Sequence, residues 1–205
     1  MTSAAPAAVV KRTAFDLALD GRKILVRIGH KGPSGSVRPS LTEAVREGRE
    51  RALALIDPAA IWTVLDARET NGHPVFAGAV RVALAVCTIG PRLETAVAQC
   101  MESDILKGLI LDAFGSQAVA EISRAIVGDI ERRAREAGFV PSTRYAPGYK
   151  SWPVDEQAFL FGRLPGDLVG VRLTDGFMMV PRKSYSFRVN FYPAPGGGAP
   201  GGFGS

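Results

Sequence analysis

The feature that most constrains this chain is a helical pattern that opens near Ser103 or Asp104 and can be followed to Gly138. Leu106, Leu109, Ile110, Ala113, Phe114, Gln117, Ala120, Glu121 and Arg124 share one broad face of period 3.6. That face is apolar in its first half and carries Glu121 among small residues. Past Val127 the pattern turns polar through Asp129-Ile130-Glu131-Arg132-Arg133, which predicts a solvated far end. With 205 residues, 46% of them hydrophobic, the chain has material for one well-buried core and one domain, and the rest must organise around this helix.

Upstream, residues 1–12 read as a flexible leader, and 15–19 with 23–28 as a short hairpin around Asp20-Gly21, a strong turn dipeptide. A glycine, serine and proline loop follows at 29–39, in which Gly32-Pro33-Ser34-Gly35-Ser36 lacks the lysine and spacing of a phosphate-binding loop. Ser40 and Glu43 have the spacing of a capping box, predicting a helix to about Ile56 before Asp57-Pro58. Ile61 to Leu65 is rich in strand formers, and 75–89 reads as one or two further strands after a reversal at Asn71-Gly72. Pro91 suits a first helical position, leading a helix to about Met101.

Downstream of the long helix, 154–164 reads as a short helix, and 169–173 with 177–180 as strands. Residues 184–192 alternate cleanly, with Tyr185, Phe187, Val189 and Phe191 on one face and Ser184, Ser186, Arg188 and Asn190 on the other, the pattern of a half-buried strand. Residues 194–205 are glycine, proline and alanine with little to bury, and read as a disordered tail.

Composition removes several classes of function. The net charge of +5 is spread over short clusters with no interleaved aromatics, so it reads as solvated helix faces and not as a nucleic-acid surface. An acidic protein partner or a phosphate-bearing cofactor is the alternative use of that charge. Cys87 and Cys100 are too few for a disulfide framework, and with His30 and His73 as the only histidines no all-protein transition-metal site is expected. No run of 18 apolar residues predicts a membrane span, so the expectation is a soluble cytoplasmic protein. There is no Gly-x-Ser-x-Gly elbow, dinucleotide fingerprint or zinc-type His-Glu pair. If the chain takes part in a reaction, it holds a reactive cofactor instead of supplying the reacting groups.

The parts suited to that task lie together at Arg144-Tyr145-Ala146-Pro147-Gly148-Tyr149. Arg144 offers a planar fork matched to a carboxylate. Pro147-Gly148 is a turn signal whose glycine lets a ligand approach the backbone. Tyr145 and Tyr149 offer flat faces to an adenine ring or a cation, and Glu121 a negative charge toward an amine or ribose. The same residues also fit a structural role, with Arg144 pairing a surface carboxylate and the tyrosines filling a core edge.

Arg144-x-x-x-Gly148-Tyr149, with Pro147 before the glycine and Pro153 after it, resembles the S-adenosylmethionine-binding motif of the cobalamin-dependent methionine synthase activation domain. Leu173-Thr174 through Met178-Met179, Pro181 and Ser184-Tyr185-Ser186 is similar to the second signature of that family. Thr88-Ile89-Gly90-Pro91 with Glu94, and the stretch from Leu111 to Ser116, are similar to short free-standing members. The resemblance implies a single C-shaped α+β domain over 13–193, with a central antiparallel sheet flanked by helices, including the long one near 104–137. It implies an activation subunit that binds S-adenosylmethionine and supports reductive methylation of the cobalamin of a separate corrinoid-binding methionine synthase. A flavodoxin or ferredoxin-type donor would supply the electron. Arg144 would hold the ligand carboxylate, Ala146, Pro147, Gly148 and Tyr149 would shape the site, and Glu121 would be the helix carboxylate.

Two departures accompany the likeness. Lys150-Ser151-Trp152 replaces a small Pro-Ala-Cys run, and Val189 stands where fused enzymes have a tyrosine against the ligand, leaving Tyr185 or Tyr192 to supply that contact. They motivate the alternative of a non-catalytic interaction module, or an activator of a different corrinoid methyltransferase, with a decayed ligand site. No Asp-x-His-x-x-Gly cobalamin motif is present, so the corrinoid would come on another protein.

Overall fold

The computed structural model describes residues 8–29, 37–70, 72–149 and 151–195. Strands β1 (Val10–Arg12), β2 (Ala59–Asp66), β3 (Arg81–Thr88), β4 (Phe139–Pro141) and β7 (Ser184–Pro193) form one antiparallel sheet in the order β1-β2-β3-β7-β4. A separate two-stranded ribbon pairs β5 (Arg172–Leu173) with β6 (Met179–Val180). Helices α1 (Gly21–Arg27), α2 (Pro39–Leu55), α3 (Arg92–Ser103) and α4 (Ile105–Glu136) build the main helical layer, while α5 (Gln157–Phe161) follows the turn after β4. The mixed α+β architecture, the central antiparallel sheet and the long helix all match the sequence expectation.

The sheet's composition explains why α4 lies along it. Ala83, Ala85 and Cys87 of β3 face the helical layer together with Phe187, Val189 and Phe191 of β7. Small residues at the centre of the sheet let the helix approach while the larger neighbours interdigitate with it. From α4, Leu111, Phe114, Ala118, Ile122, Ile126, Ile130 and Ala134 are fully or almost fully buried, a stripe at mostly i, i+4 spacing. Burying one such isoleucine is worth roughly 2 kcal/mol. Leu106 and Leu109, placed on the apolar face from sequence, are 44% and 46% exposed. The far end, expected in solvent, packs Ile130 and Ala134 into the core beside Phe139. Its charged residues occupy only the outer side, where Arg135 pairs with Glu131 and Arg132 with Asp129.

The opposite face of the sheet is covered as well. Ile61, Leu65, Val82, Leu84 and Val86 pack against Phe76, Trp152, Leu160, Leu164 and Val171. Strand β7 is therefore covered on both sides, and Ser184, Ser186 and Asn190 do not meet water as the alternation suggested, while Arg188 is half-buried. Ser186 Oγ donates to Gln157 Oε1 at 2.9 Å, and Asn190 Nδ2 donates to the Val75 carbonyl at 3.0 Å. These two side chains take partners inside the second layer because leaving them dry would cost a few kcal/mol, whereas Trp152 Nε1 and Asn190 Oδ1 have none.

Other local expectations change for identifiable reasons. Asp20-Gly21 does not turn a hairpin: the Asp20 carboxylate accepts the Arg22 N–H at 2.9 Å and caps α1. The Ser40–Glu43 capping box does not form, because Pro39 already starts α2 and Glu43 is taken by Arg46 in an ion pair. Pro91 sits at the cap position of α3, one residue before its first turn. Residues 74–76 form a 3-10 turn, leaving β3 as the only strand within 75–89. Val10–Arg12, assigned to the leader, pairs with β2 as an edge strand. The phosphate-loop-like Gly32 to Ser36, the reversal residue Asn71, and 196–205 of the proposed tail lie outside the described residues.

Candidate functional site

The turn after α4 is held by the edge of β7. Pairing runs through Pro141 opposite Phe191 and resumes at Tyr145 opposite Arg188, so the turn side carries one extra residue, a bulge at 142–144. Ser142 anchors that bulge: its N–H donates to the Asn190 carbonyl at 2.8 Å, and its Oγ accepts from Asn190 N–H and Arg188 Nη1, both at 3.0 Å. Bulging re-aims Arg144 away from the ladder and toward the helical layer.

Beyond Tyr145 the chain closes on itself. Gly148 N–H donates to the Trp152 carbonyl at 2.7 Å, Trp152 N–H to the Tyr149 carbonyl at 3.0 Å, and Tyr145 O–H to the same Tyr149 carbonyl at 2.6 Å. Gly148 has φ of +88°, the left-handed conformation that favours glycine. Trp152 is fully buried, lies parallel to Tyr145 within 8° and meets Phe76 edge-on. The bulky residue after the Gly-Tyr pair thus fills the second core layer; Lys150 lies outside the described residues.

Between this turn, α4 and the start of β7 lies a cleft of about 460 Å³. Helix α4 lines it with Ser116, Val119, Ala120 and Ser123, and the turn with Arg144 and Tyr149. The segment entering β7 contributes Arg182, Lys183, Ser184 and Tyr185, and α1 contributes Arg27. The Arg144 guanidinium stands 5.8 Å from the centre of the Tyr185 ring, so residues of the two sequence motifs meet across the cleft. Burial pushes the Tyr185 phenol above its usual range, and Arg144 draws it back. No carboxylate among the described residues ion-pairs with Arg144.

Lys183 forms the floor between this cleft and a second hollow of about 330 Å³ bordered by Glu94, Val97, Ala98 and Asp112. Its ammonium donates to Asp112 Oδ1 and Ser116 Oγ, each at 2.8 Å, and its backbone N–H donates to the Glu94 carboxylate. Ser184 Oγ donates to Thr88 Oγ1 at 2.9 Å, which also accepts the Gly90 N–H. The upstream stretches singled out in the sequence, around Thr88, Glu94 and 111–116, therefore converge on residues 183 and 184. Gly115 permits this approach, since a Cβ there would come within 2.7 Å of Leu93 on α3.

Neither a family model nor a curated protein matches the sequence. Among solved structures, the crystal structure of the MetH reactivation domain bound to AdoHcy matches with a TM-score of 0.62. The match covers 95% of this chain and 82% of that one at 13% sequence identity. The chain has the fold of the MetH reactivation domain.

On this reactivation-domain fold the six predicted site residues separate. Arg144 and Tyr149 line the cleft. Ala146 and Pro147 are buried behind the turn, and Gly148 is exposed at its bend. Glu121 lies on α4 next to the lining residue Ala120 but outside the lining, where its carboxylate accepts from Gln117 Nε2 at 3.4 Å. Of the two tyrosines proposed to replace the one missing at Val189, Tyr185 lines the cleft, whereas Tyr192 packs at Gly78 and bonds Asn190. Val189 itself is fully buried under the helical layer.

The residues that sequence reasoning missed as lining are Arg27, Ser123, Val119, Ala120, Arg182 and Lys183. A signal existed for α4: Ser116, Val119, Ala120 and Ser123 stand at i, i+3, i+4 and i+7, a strip of small side chains on one face. No comparable signal marked Arg27, which reaches the cleft only through the placement of α1. No helix of the described residues is long and apolar enough to cross a membrane.

Proposed function

We propose that this chain binds S-adenosylmethionine in the cleft and acts as an activation subunit for a separate corrinoid-binding methionine synthase. One observation carries the reading: Arg144 and Tyr185, from two motifs some forty residues apart, face one another in the largest cleft described, on a reactivation-domain fold whose solved counterpart was bound to AdoHcy. The residues suit the ligand. Arg144, which no carboxylate among the described residues ion-pairs, presents its fork to the ligand carboxylate, and charge-assisted bidentate bonds of that kind are among the strongest available. Tyr149, 60% exposed, and Tyr185 offer ring faces to the sulfonium and the adenine. The small side chains of Ala120 and Ser123 leave room along α4.

The partner's cobalamin supplies the redox and methyl-accepting chemistry, with its electron from a flavodoxin or ferredoxin-type donor. The residues of this chain bind the methyl donor, orient it and hold it at a mouth open to a docking protein. The placement of Trp152 and Val189 in the core, away from the cleft, favours a retained site over a decayed one.

Calorimetric titration of the full chain with S-adenosylmethionine is the test. Binding is expected, and Arg144→Ala should weaken it roughly 10- to 100-fold, the loss of a charge-assisted contact. Absence of binding by the unaltered chain, with and without a corrinoid protein present, sinks the ligand reading.

A further inference from the structure

The charge of the cleft exceeds what S-adenosylmethionine can use. The ligand carries one carboxylate against an ammonium and a sulfonium, so it is a net cation. Four cationic side chains line the cleft: Arg27, Arg144, Arg182 and Lys183. Lys183 is neutralised by Asp112 at 2.8 Å, and Arg144 is matched by the ligand carboxylate in the reading above. Arg27 and Arg182 remain. Both are exposed, and no carboxylate among the described residues ion-pairs with either. Arg182 also borders the hollow that holds Glu94 and Asp112, but those carboxylates are already engaged, by the Lys183 backbone N–H and the Lys183 ammonium.

Two unpaired guanidinium groups beside a bound cation repel it and one another. A shared anion reverses both terms. The two arginines come from different walls, the last turn of α1 and the segment entering β7, and line the same cleft, and a guanidinium fork suits the oxygens of such an anion.

We propose that Arg27 and Arg182 form an oxyanion subsite in the cleft, which takes a tetrahedral phosphate group beside the methyl donor. The subsite rests on two side chains that line one cleft without a carboxylate partner among the described residues, and only its coupling to S-adenosylmethionine rests on the proposed function. Two sources share this chemistry: free phosphate, and a phosphate ester carried in by whatever docks over the cleft. By linkage, an anion that favours the bound cation is itself held more tightly when that cation is present.

The test is a calorimetric titration of the full chain with inorganic phosphate at constant ionic strength, followed by S-adenosylmethionine titrations with phosphate present and replaced by chloride. Phosphate should bind the unaltered chain and bind Arg27→Gln/Arg182→Gln roughly tenfold or more weakly, with the unfolding midpoint unchanged. S-adenosylmethionine affinity should rise several-fold in phosphate, and not in the double variant. Dimethyl phosphate binding as well as inorganic phosphate assigns the subsite to a carried phosphodiester; binding of the inorganic ion alone assigns it to free phosphate. Failure of phosphate to bind, equal binding by the double variant, or equal binding of acetate overturns the subsite. Phosphate binding without S-adenosylmethionine binding removes the methyl-donor reading and leaves the subsite standing, and the converse removes the subsite alone.

Discussion

Tyr145 and Arg188 exchange backbone hydrogen bonds, at 3.0 Å from the Tyr145 N–H and 2.8 Å from the Arg188 N–H, while the Arg188 guanidinium lies 5.2 Å from the Tyr145 ring centre. The residue immediately before this clasp is Arg144. Its aim into the cleft is therefore set by where β7 grips the chain, one residue past the bulge. Arg188 has no carboxylate partner among the described residues, and partial burial lowers its pKa from the usual arginine value.

Arg188→Met should leave global stability within about 1 kcal/mol, because relief of the buried charge offsets the lost bonds to Ser142 and Thr143. Locally it should loosen the bulge. Hydrogen exchange at the Ser142 and Tyr145 amides is expected to accelerate while that of α4 stays unchanged, and affinity for S-adenosylmethionine should fall. Equal acceleration throughout the sheet would mean that Arg188 acts on the fold and not on the turn.

Trp152→Ala should destabilise the chain by about 3–5 kcal/mol, the usual cost of truncating a buried large aromatic. The side chain is fully buried between Tyr145 and Phe76, and its removal empties the centre of the second layer. Denaturant unfolding measures the loss. Trp152→Phe should recover most of it, since Trp152 Nε1 has no hydrogen-bond partner to lose.

Gly148→Ala tests backbone conformation without crowding. A Cβ at this position would come no closer than 3.9 Å to Val154, so the cost is that of a left-handed L-residue, about 1–2 kcal/mol. Because Tyr149 follows directly, relaxation of this strain should move its ring and weaken ligand binding. A stability loss with unchanged affinity would separate the turn from the site.

The Cys87 thiol, fully buried, is pushed up from 9.0 to about 12 by desolvation. Between these values the unfolded chain has released the proton and the folded chain retains it. Stability therefore falls as pH rises through that window and is unaffected by this group below pH 9.0. In a Cys100→Ala background, alkylation of Cys87 at mildly alkaline pH should proceed only as fast as the protein opens. Rapid alkylation of the native protein would contradict the burial.

The sequence by itself determined the features that depend on short-range chemistry. The long helix, the Pro-Gly turn and the strand at 184–192 all follow from periodicity and turn stereochemistry. What it could not determine was which side of each element would be covered. Ser186 and Asn190 alternate like a solvent-facing row, yet a second layer built from Phe76, Trp152 and Leu160 closes over them. Ile130 and Ala134 sit in a charged stretch, yet β4 and β7 bring the core to them. Asp20-Gly21 reads as a hairpin turn until α1 claims the carboxylate as its cap. The cleft shows the same division. Arg144 was legible as a fork near a turn, but its meeting with Tyr185, and the arrival of Arg27 and Arg182 at the same opening, depend on α1, α4 and β7 converging from distant parts of the chain. Local propensity acts over a few residues, whereas burial and charge surplus are set by neighbours that only the folded chain supplies.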